Sequence, residues 1–282
     1  MSDSFRTSDG RELAYRRAGS GPALVCHGGG PGFSSLYLGD LAGLGDSFEL
    51  VLLDPRGTGG SDRPADSRAY TNEDYAADVE ELRRHLGLDR IDLLGHSHGG
   101  VVAIEYAASY PDRVRKLVLA STLARFHREQ MAAMEAGMKA KAGEPWFADA
   151  AAALQDEQEG RFETDEELGQ LAVRELPLYF ARYGDEERAY VAALDLPNAD
   201  ALRLFNAEIF PTFDLRPRLP SIRAETLVIT GEQDFITGPV SARELADGIP
   251  GAREVVIPGA GHFVFVEARE GFAAEVRAFL AS

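Results

Sequence analysis

Gly95-His96-Ser97-His98-Gly99-Gly100 sets a serine between glycines two positions away on either side. Residues 91–94 read as a short buried strand before it, and 99–110 as a helix after it. A turn this tight strains the serine backbone and requires small neighbours, which Gly95 and Gly99 supply. A serine hydroxyl is a weak nucleophile; it needs a base, and the base needs an orienting acid. Six histidines are present, and only His262 lies in the last part of the chain. It sits in Gly259-Ala260-Gly261-His262-Phe263, a loop after a strand ending at Ile257. The acid is expected at the end of the preceding strand, in Thr230-Gly231-Glu232-Gln233-Asp234. Asp234 is the first choice and Glu232 the second. The earlier strand end, Leu119-Ala120-Ser121-Thr122-Leu123, offers no carboxylate. Ser97, Asp234 and His262 together point to acyl transfer.

Such chemistry needs two backbone N–H groups aimed at the developing oxyanion. His98, next after Ser97, is expected to supply one. The other is expected from His27-Gly28-Gly29-Gly30-Pro31-Gly32, with Gly29 first and Gly30 second. His27 reads as holding this loop rather than performing chemistry. Asp54 and Arg56 read as bracing the rim through charge-assisted hydrogen bonds. His96 and His98 form a His-x-His pair, but no third ligand has convincing spacing, so no metal is expected.

These residues need strands that end beside one another. Short apolar runs at 23–26, 48–53, 91–94, 117–119, 226–230 and 254–257 read as buried strands. Between them, 72–86 carries Tyr75, Val79, Leu82 and Leu86 at helical spacing, with Thr71 and Asp74 as a capping box. Pro111 ends the helix after Ser97. A last helix carries Phe272, Val276, Phe279 and Leu280. Strand–helix alternation predicts a mostly parallel sheet flanked by helices. Residues 125–215 show no strand series and read as helices broken at Gly143-Glu144-Pro145, Tyr183-Gly184-Asp185 and Pro197-Asn198. The expected organisation is a core of 1–124 and 216–282 with a helical cap of 125–215.

The 282 residues can bury one core without staples. The net charge of −17 disfavours nucleic-acid and membrane-surface partners. The single cysteine, Cys26, cannot form an intrachain disulfide and reads as a small core residue. The first residues lack a signal-like apolar stretch, and no run approaches the ~20 apolar residues of a membrane span, so a cytoplasmic location is expected. The sequence carries no signal for an oligomeric state.

The loops at 27–32, Asp54-Pro55-Arg56-Gly57-Thr58-Gly59-Gly60-Ser61, 95–100, 231–234 and Gly261-His262 together resemble the proline iminopeptidase group of α/β hydrolases. The order and spacing match across nearly the whole chain outside the insert. The resemblance implies the α/β-hydrolase fold, a cap over the active site, a Ser–Asp–His triad and no cofactor. It implies a small-molecule or short-peptide substrate. Three departures stand out. There are three glycines between His27 and Pro31 where the group usually has two. His98 follows the serine where an aromatic residue is common. Phe235 follows Asp234 where some members carry an amine-binding glutamate. Glu208, in Asn206-Ala207-Glu208-Ile209-Phe210, resembles the cap glutamate of some members and is the candidate amine anchor. Trp146, Phe147, Tyr179 and Phe180 either line an apolar pocket or pack the cap. The first expectation is a serine peptidase that removes an N-terminal residue, preferably proline; the alternative is an esterase, lactonase or amidase acting on a small metabolite. A noncatalytic ligand-binding role on the same fold is the reading from another class.

Overall fold

The computed structural model describes residues 2–282. Among these, eight strands form one sheet: β1 (Ser2–Arg6), β2 (Glu12–Gly19), β3 (Ala23–His27), β4 (Glu49–Leu53), β5 (Ile91–His96), β6 (Val114–Ala120), β7 (Glu225–Gly231) and β8 (Arg253–Ile257). Their spatial order is β1-β2-β4-β3-β5-β6-β7-β8. β1 and β2 pair antiparallel with each other, and β2 pairs antiparallel with β4. Every neighbouring pair from β4 to β8 is parallel. The helices are α1 (Asn72–His85), α2 (His98–Ser109), α3 (Arg128–Ala140), α4 (Phe147–Gln158), α5 (Asp165–Glu175), α6 (Asp185–Ala192), α7 (Ala199–Leu204), α8 (Pro239–Gly248), α9 (Val264–Glu267) and α10 (Arg269–Ala281).

The central strands send successive side chains to two separate cores. Val25, Leu93, Leu117 and Leu119 meet α1, α2 and α8 through Val79, Ile104 and Leu245. Leu24, Cys26, Leu94, Val118 and Ala120 face the other way, onto Phe272, Val276 and Leu280 of α10. Burial on both faces is why these strands are continuous apolar runs. Each such buried side chain contributes about 1.5–3 kcal/mol. Cys26 is fully buried, and burial raises its thiol pKa. The capping box of α1 is present: Asp74 N–H donates to Thr71 Oγ1 at 3.1 Å, and Thr71 N–H donates to Asp74 Oδ2 at 3.1 Å.

β1 and β2 carry no apolar run, and sequence patterning missed them. They lie at the antiparallel edge of the sheet, where β1 buries Phe5 and exposes its other residues. The chain leaves the sheet between β6 and β7 for the five helices α3 to α7. One isolated bridge, Arg125 to Asp214, joins the two ends of that excursion.

β3 is followed by β4 on one side of it and neighboured by β5 on the other. Its C-terminal end is therefore a topological switch point, where an open α/β sheet leaves a crevice for a ligand. The register pairs His27 with Gly95, bringing the glycine loop after β3 beside the turn after β5.

Candidate active site

Ser97 begins α2 with φ 56° and ψ −125°, a conformation non-glycine residues rarely adopt. Such strain costs about 1–3 kcal/mol and persists where the surroundings over-determine it. Here Ser97 N–H donates to Ala120 O at 3.0 Å, and Ser97 O accepts Thr122 Oγ1–H at 2.7 Å. A Cβ on Gly99 would lie 2.2 Å from His27 O, so the helix can start under the serine only with glycine there. The positive end of α2 points at Ser97.

His262 Nδ1 faces Asp234 Oδ2 at 3.0 Å, and both side chains are buried. Asp234 also accepts Thr237 Oγ1–H at 2.6 Å, and its Oδ1 takes the N–H groups of Ile236 and Thr237, each at 3.1 Å. Burial alone would raise its pKa; the His262 charge and these hydrogen bonds outweigh burial and hold it at about 2. Glu232 instead turns to the exposed Gly259 N–H at 3.2 Å. His262 N–H donates to Tyr179 O at 2.7 Å, which ties the base loop to the helical insert. Ser97 and His262 line one cavity, and no hydrogen bond joins Ser97 Oγ to His262. Such bonds commonly tighten only when substrate binds.

The glycine loop presents two amides in different settings. Gly29 backs directly onto Ser97: a Cβ there would lie 2.6 Å from Ser97 Cβ. Yet Gly29 N–H donates to Tyr37 Oη at 2.5 Å, so it is not free for an oxyanion. Gly30, with φ +121°, lines both cavities beside Ser97, and its N–H has no backbone acceptor. Of the two neighbouring amides, Gly29 N–H is engaged and Gly30 N–H is not. His98, at the first position of α2, has an N–H without an intrahelical partner. Its ring is anchored on Asn72 Oδ1 at 3.0 Å; burial, with His27 nearby, pushes its pKa down to about 3. His27 Nδ1 bonds Gly28 O at 2.8 Å and so stays within its own loop. Asp54 accepts the Ser35 N–H and hydroxyl at 3.0 and 2.6 Å, while Arg56 pairs with Asp78 at 2.7 Å.

His96 carries a directional chain. Burial, with His262 close by, pushes its pKa down to about 3, so the ring is neutral. His262 O, 3.1 Å from Nε2, can only accept, so Nε2 holds the proton. Nδ1 then accepts from Tyr37 Oη–H at 2.8 Å, and Tyr37 Oη accepts from Gly29. One tyrosine thus links the glycine loop to the base loop. Tyr37→Phe deletes both bonds. Its expected effect is a fall in kcat of about 10–100-fold with KM changed by less than about twofold, measured on the best substrate. An unchanged kcat would remove the chain from any positioning role.

Two cavities of about 80 and 220 Å³ meet at Ser97. The smaller contains His262, Tyr179 and two carboxylates from the insert, Glu157 of α4 and Glu175 of α5. Glu157 accepts Asn206 Nδ2–H at 2.8 Å. Glu175 Oε2 is buried with no partner. Burial raises the pKa of both, and the neighbouring Glu157 charge raises that of Glu175 further. No group of three or more His, Cys, Asp or Glu able to hold a metal occurs among the described residues.

The family model for the alpha/beta hydrolase fold matches residues 22–268. The chain belongs to the α/β hydrolase family. Within that family it is 29% identical over 282 residues to the proline iminopeptidase PfmaB of Pestalotiopsis fici, covering 98% of each chain. It is 29% identical over 270 residues to a proline iminopeptidase of Lactobacillus delbrueckii subsp. lactis, covering 87% of this chain and 85% of the relative. The enol-lactonase from Burkholderia xenovorans LB400 superposes with a TM-score of 0.75 at 27% identity, covering 99% of this chain and 100% of that one. No helix among the described residues is long and apolar enough to cross a membrane.

In this hydrolase Glu208 does not reach the cavities. Its side chain is 48% exposed and pairs with Arg68 at 2.7 Å across the surface. The carboxylates that line the cavities are Glu157 and Glu175, which sequence reading passed over among many glutamates. Their signal was positional: Ala150, Ala153, Leu154, Glu157 and Leu168, Leu171, Ala172, Glu175 each follow i, i+3, i+4, i+7. Each glutamate thus completes an otherwise apolar stripe. Phe235 packs with Met134 and Tyr179. Tyr179 lines both cavities, Trp146 and Phe147 pack the insert, and Phe180 is buried in the main core.

Proposed function

We propose that this hydrolase is a serine aminopeptidase that removes an N-terminal residue, preferably proline, through an acyl-enzyme. The observation that carries the reading is Glu175: a buried carboxylate without a partner, in the cavity that Ser97 and His262 line. An unpaired buried anion is costly, and a protonated amine is the substrate group that relieves it. The names of the two iminopeptidase relatives point the same way.

In this mechanism Ser97 Oγ attacks the scissile carbonyl carbon while His262 Nε2 takes its proton. Asp234 keeps the other ring proton on Nδ1 and stabilises the imidazolium. The N–H groups of His98 and Gly30 hold the oxyanion. The C–N bond breaks as His262 returns its proton to the leaving amine. Water then attacks the ester, its proton passes to His262 and on to Ser97 Oγ, and the free amino acid departs.

The test compares prolyl, alanyl and leucyl arylamides, N-acetyl-prolyl arylamide, short acyl esters and lactones. The expected result is that prolyl arylamide turns over and Ser97→Ala abolishes it. Acetylating the amine is expected to lower kcat/KM by about 10–100-fold, since a charge-assisted contact is worth about 1.5–3 kcal/mol. Turnover of esters or lactones with none of aminoacyl arylamides would replace this reading with an esterase or lactonase.

A further inference from the structure

The second, larger cavity has a different character from the first. Phe126, Phe205, Phe210 and Phe213 form much of its wall, with Met131 and Met134 beside them. Phe126 and Phe210 pack tilted at 47° with centroids 4.3 Å apart, and Phe205 lies 6.0 Å from Phe210. A π-turn after α7 builds this wall: Phe210 N–H donates to Phe205 O at 2.7 Å, five residues back. Such turns add one residue to a helix and often mark functional sites. Glu157 is the one charged residue lining the cavity, and Asn206 engages it. The walls offer no counter-charge to an acidic group.

Ser97 lines both cavities, so the two halves of a substrate must divide between them. Glu175, the unpartnered carboxylate, borders the smaller one alone. The residue bearing the free amine belongs there. We infer that the 220 Å³ cavity is the leaving-group subsite and that it takes a bulky, uncharged apolar group: an aromatic or branched aliphatic residue in the second position of a peptide. This rests on the aminopeptidase reading and deepens it. The chain's preference is then set at two places, by charge and size at the first residue and by apolar bulk at the second.

The test measures kcat/KM on prolyl dipeptide amides, Pro-X-NH2, with X as Gly, Leu, Phe, Lys and Glu. Burying one large apolar side chain is worth about 1.5–3 kcal/mol, so Pro-Phe-NH2 is expected to exceed Pro-Gly-NH2 by about 10–100-fold, with Pro-Glu-NH2 the poorest. Phe210→Ala is expected to cut that ratio by about tenfold while leaving Pro-Gly-NH2 within about threefold. Met131, 50% exposed at the cavity, gives a second variant that does not disturb packing. Met131→Lys is expected to raise Pro-Glu-NH2 several-fold relative to Pro-Lys-NH2. A flat X series, or neither variant altering it, overturns the assignment. So does an X series that is flat while phenylalanyl amides outrun prolyl amides, which would move the cavity to the acyl side. If no free amine substrate is hydrolysed, the aminopeptidase reading itself has failed. Acetate esters of hexanol and ethanol then decide the cavity separately. A hexyl preference lost in Phe210→Ala keeps the leaving-group assignment, and equal rates overturn it.

Discussion

Asp234→Asn is expected to lower kcat by about 10⁴-fold while leaving the fold intact. The reason lies in which atom each neighbour holds. Oδ1 accepts two backbone N–H groups, from Ile236 and Thr237, so the amide carbonyl of asparagine takes that place. Nδ2 then replaces Oδ2, 3.0 Å from His262 Nδ1. An N–H facing Nδ1 turns that nitrogen into an acceptor, and the ring proton moves to Nε2. A protonated Nε2 cannot take the proton of Ser97. The volume is unchanged, and Thr237 Oγ1 can rotate to accept from the new amide. The check is kcat on the best substrate beside a thermal melt and the rate of labelling by a fluorophosphonate. A variant that melts like the wild type and keeps kcat within about tenfold would remove Asp234 from the proposed role.

Glu175→Gln is expected to do two opposite things. On prolyl arylamide KM rises by about 10–100-fold, the value of one charge-assisted hydrogen bond, while a short ester without an amine changes by less than about threefold. Stability moves the other way. Burial and the Glu157 charge raise the folded-state pKa of Glu175 above its ordinary value of 4.5. Above that value the unfolded chain has released its proton, and the folded chain either keeps one or carries an unpaired buried charge. Stability from this group therefore falls as pH rises from 4.5 through the folded value. Glutamine carries no such cost. The variant is expected to gain on the order of 1–3 kcal/mol, or about 5 °C in Tm, at pH 8 and nothing at pH 4. Glu208→Gln, on the surface, serves as the control that leaves both unchanged. A KM effect equal on arylamide and ester, or a Tm gain at pH 4 as large as at pH 8, would sink the amine-anchor reading. A site kept less stable than its neutral counterpart is the usual cost of function.

The parts legible in the sequence share one property: local geometry specifies them. A strand entering a tight turn into a helix requires glycines at 95 and 99 and leaves Ser97 partly exposed at the bend. Strands buried on both faces must be apolar throughout, so β3 to β7 show as runs. Loops at their ends then locate Asp234 and His262 by order alone. The antiparallel strands β1 and β2 escaped because they are largely open to water: β1 buries only Phe5, and β2 only Leu13, Ala14 and Tyr15.

What the sequence by itself determined was thus the parallel part of the sheet, the serine turn and the order of the candidate acid and base. Tertiary structure decided which amide and which glutamates are available. Gly29 and Gly30 are equivalent as letters; a tyrosine eight residues away takes one N–H and leaves the other free. Glu157 and Glu175 match dozens of acidic residues in type, and packing of α4 and α5 over Ser97 alone removes them from water. A hydrogen bond already made and a carboxylate already desolvated are properties of neighbours in space, and a single chain of letters does not carry them.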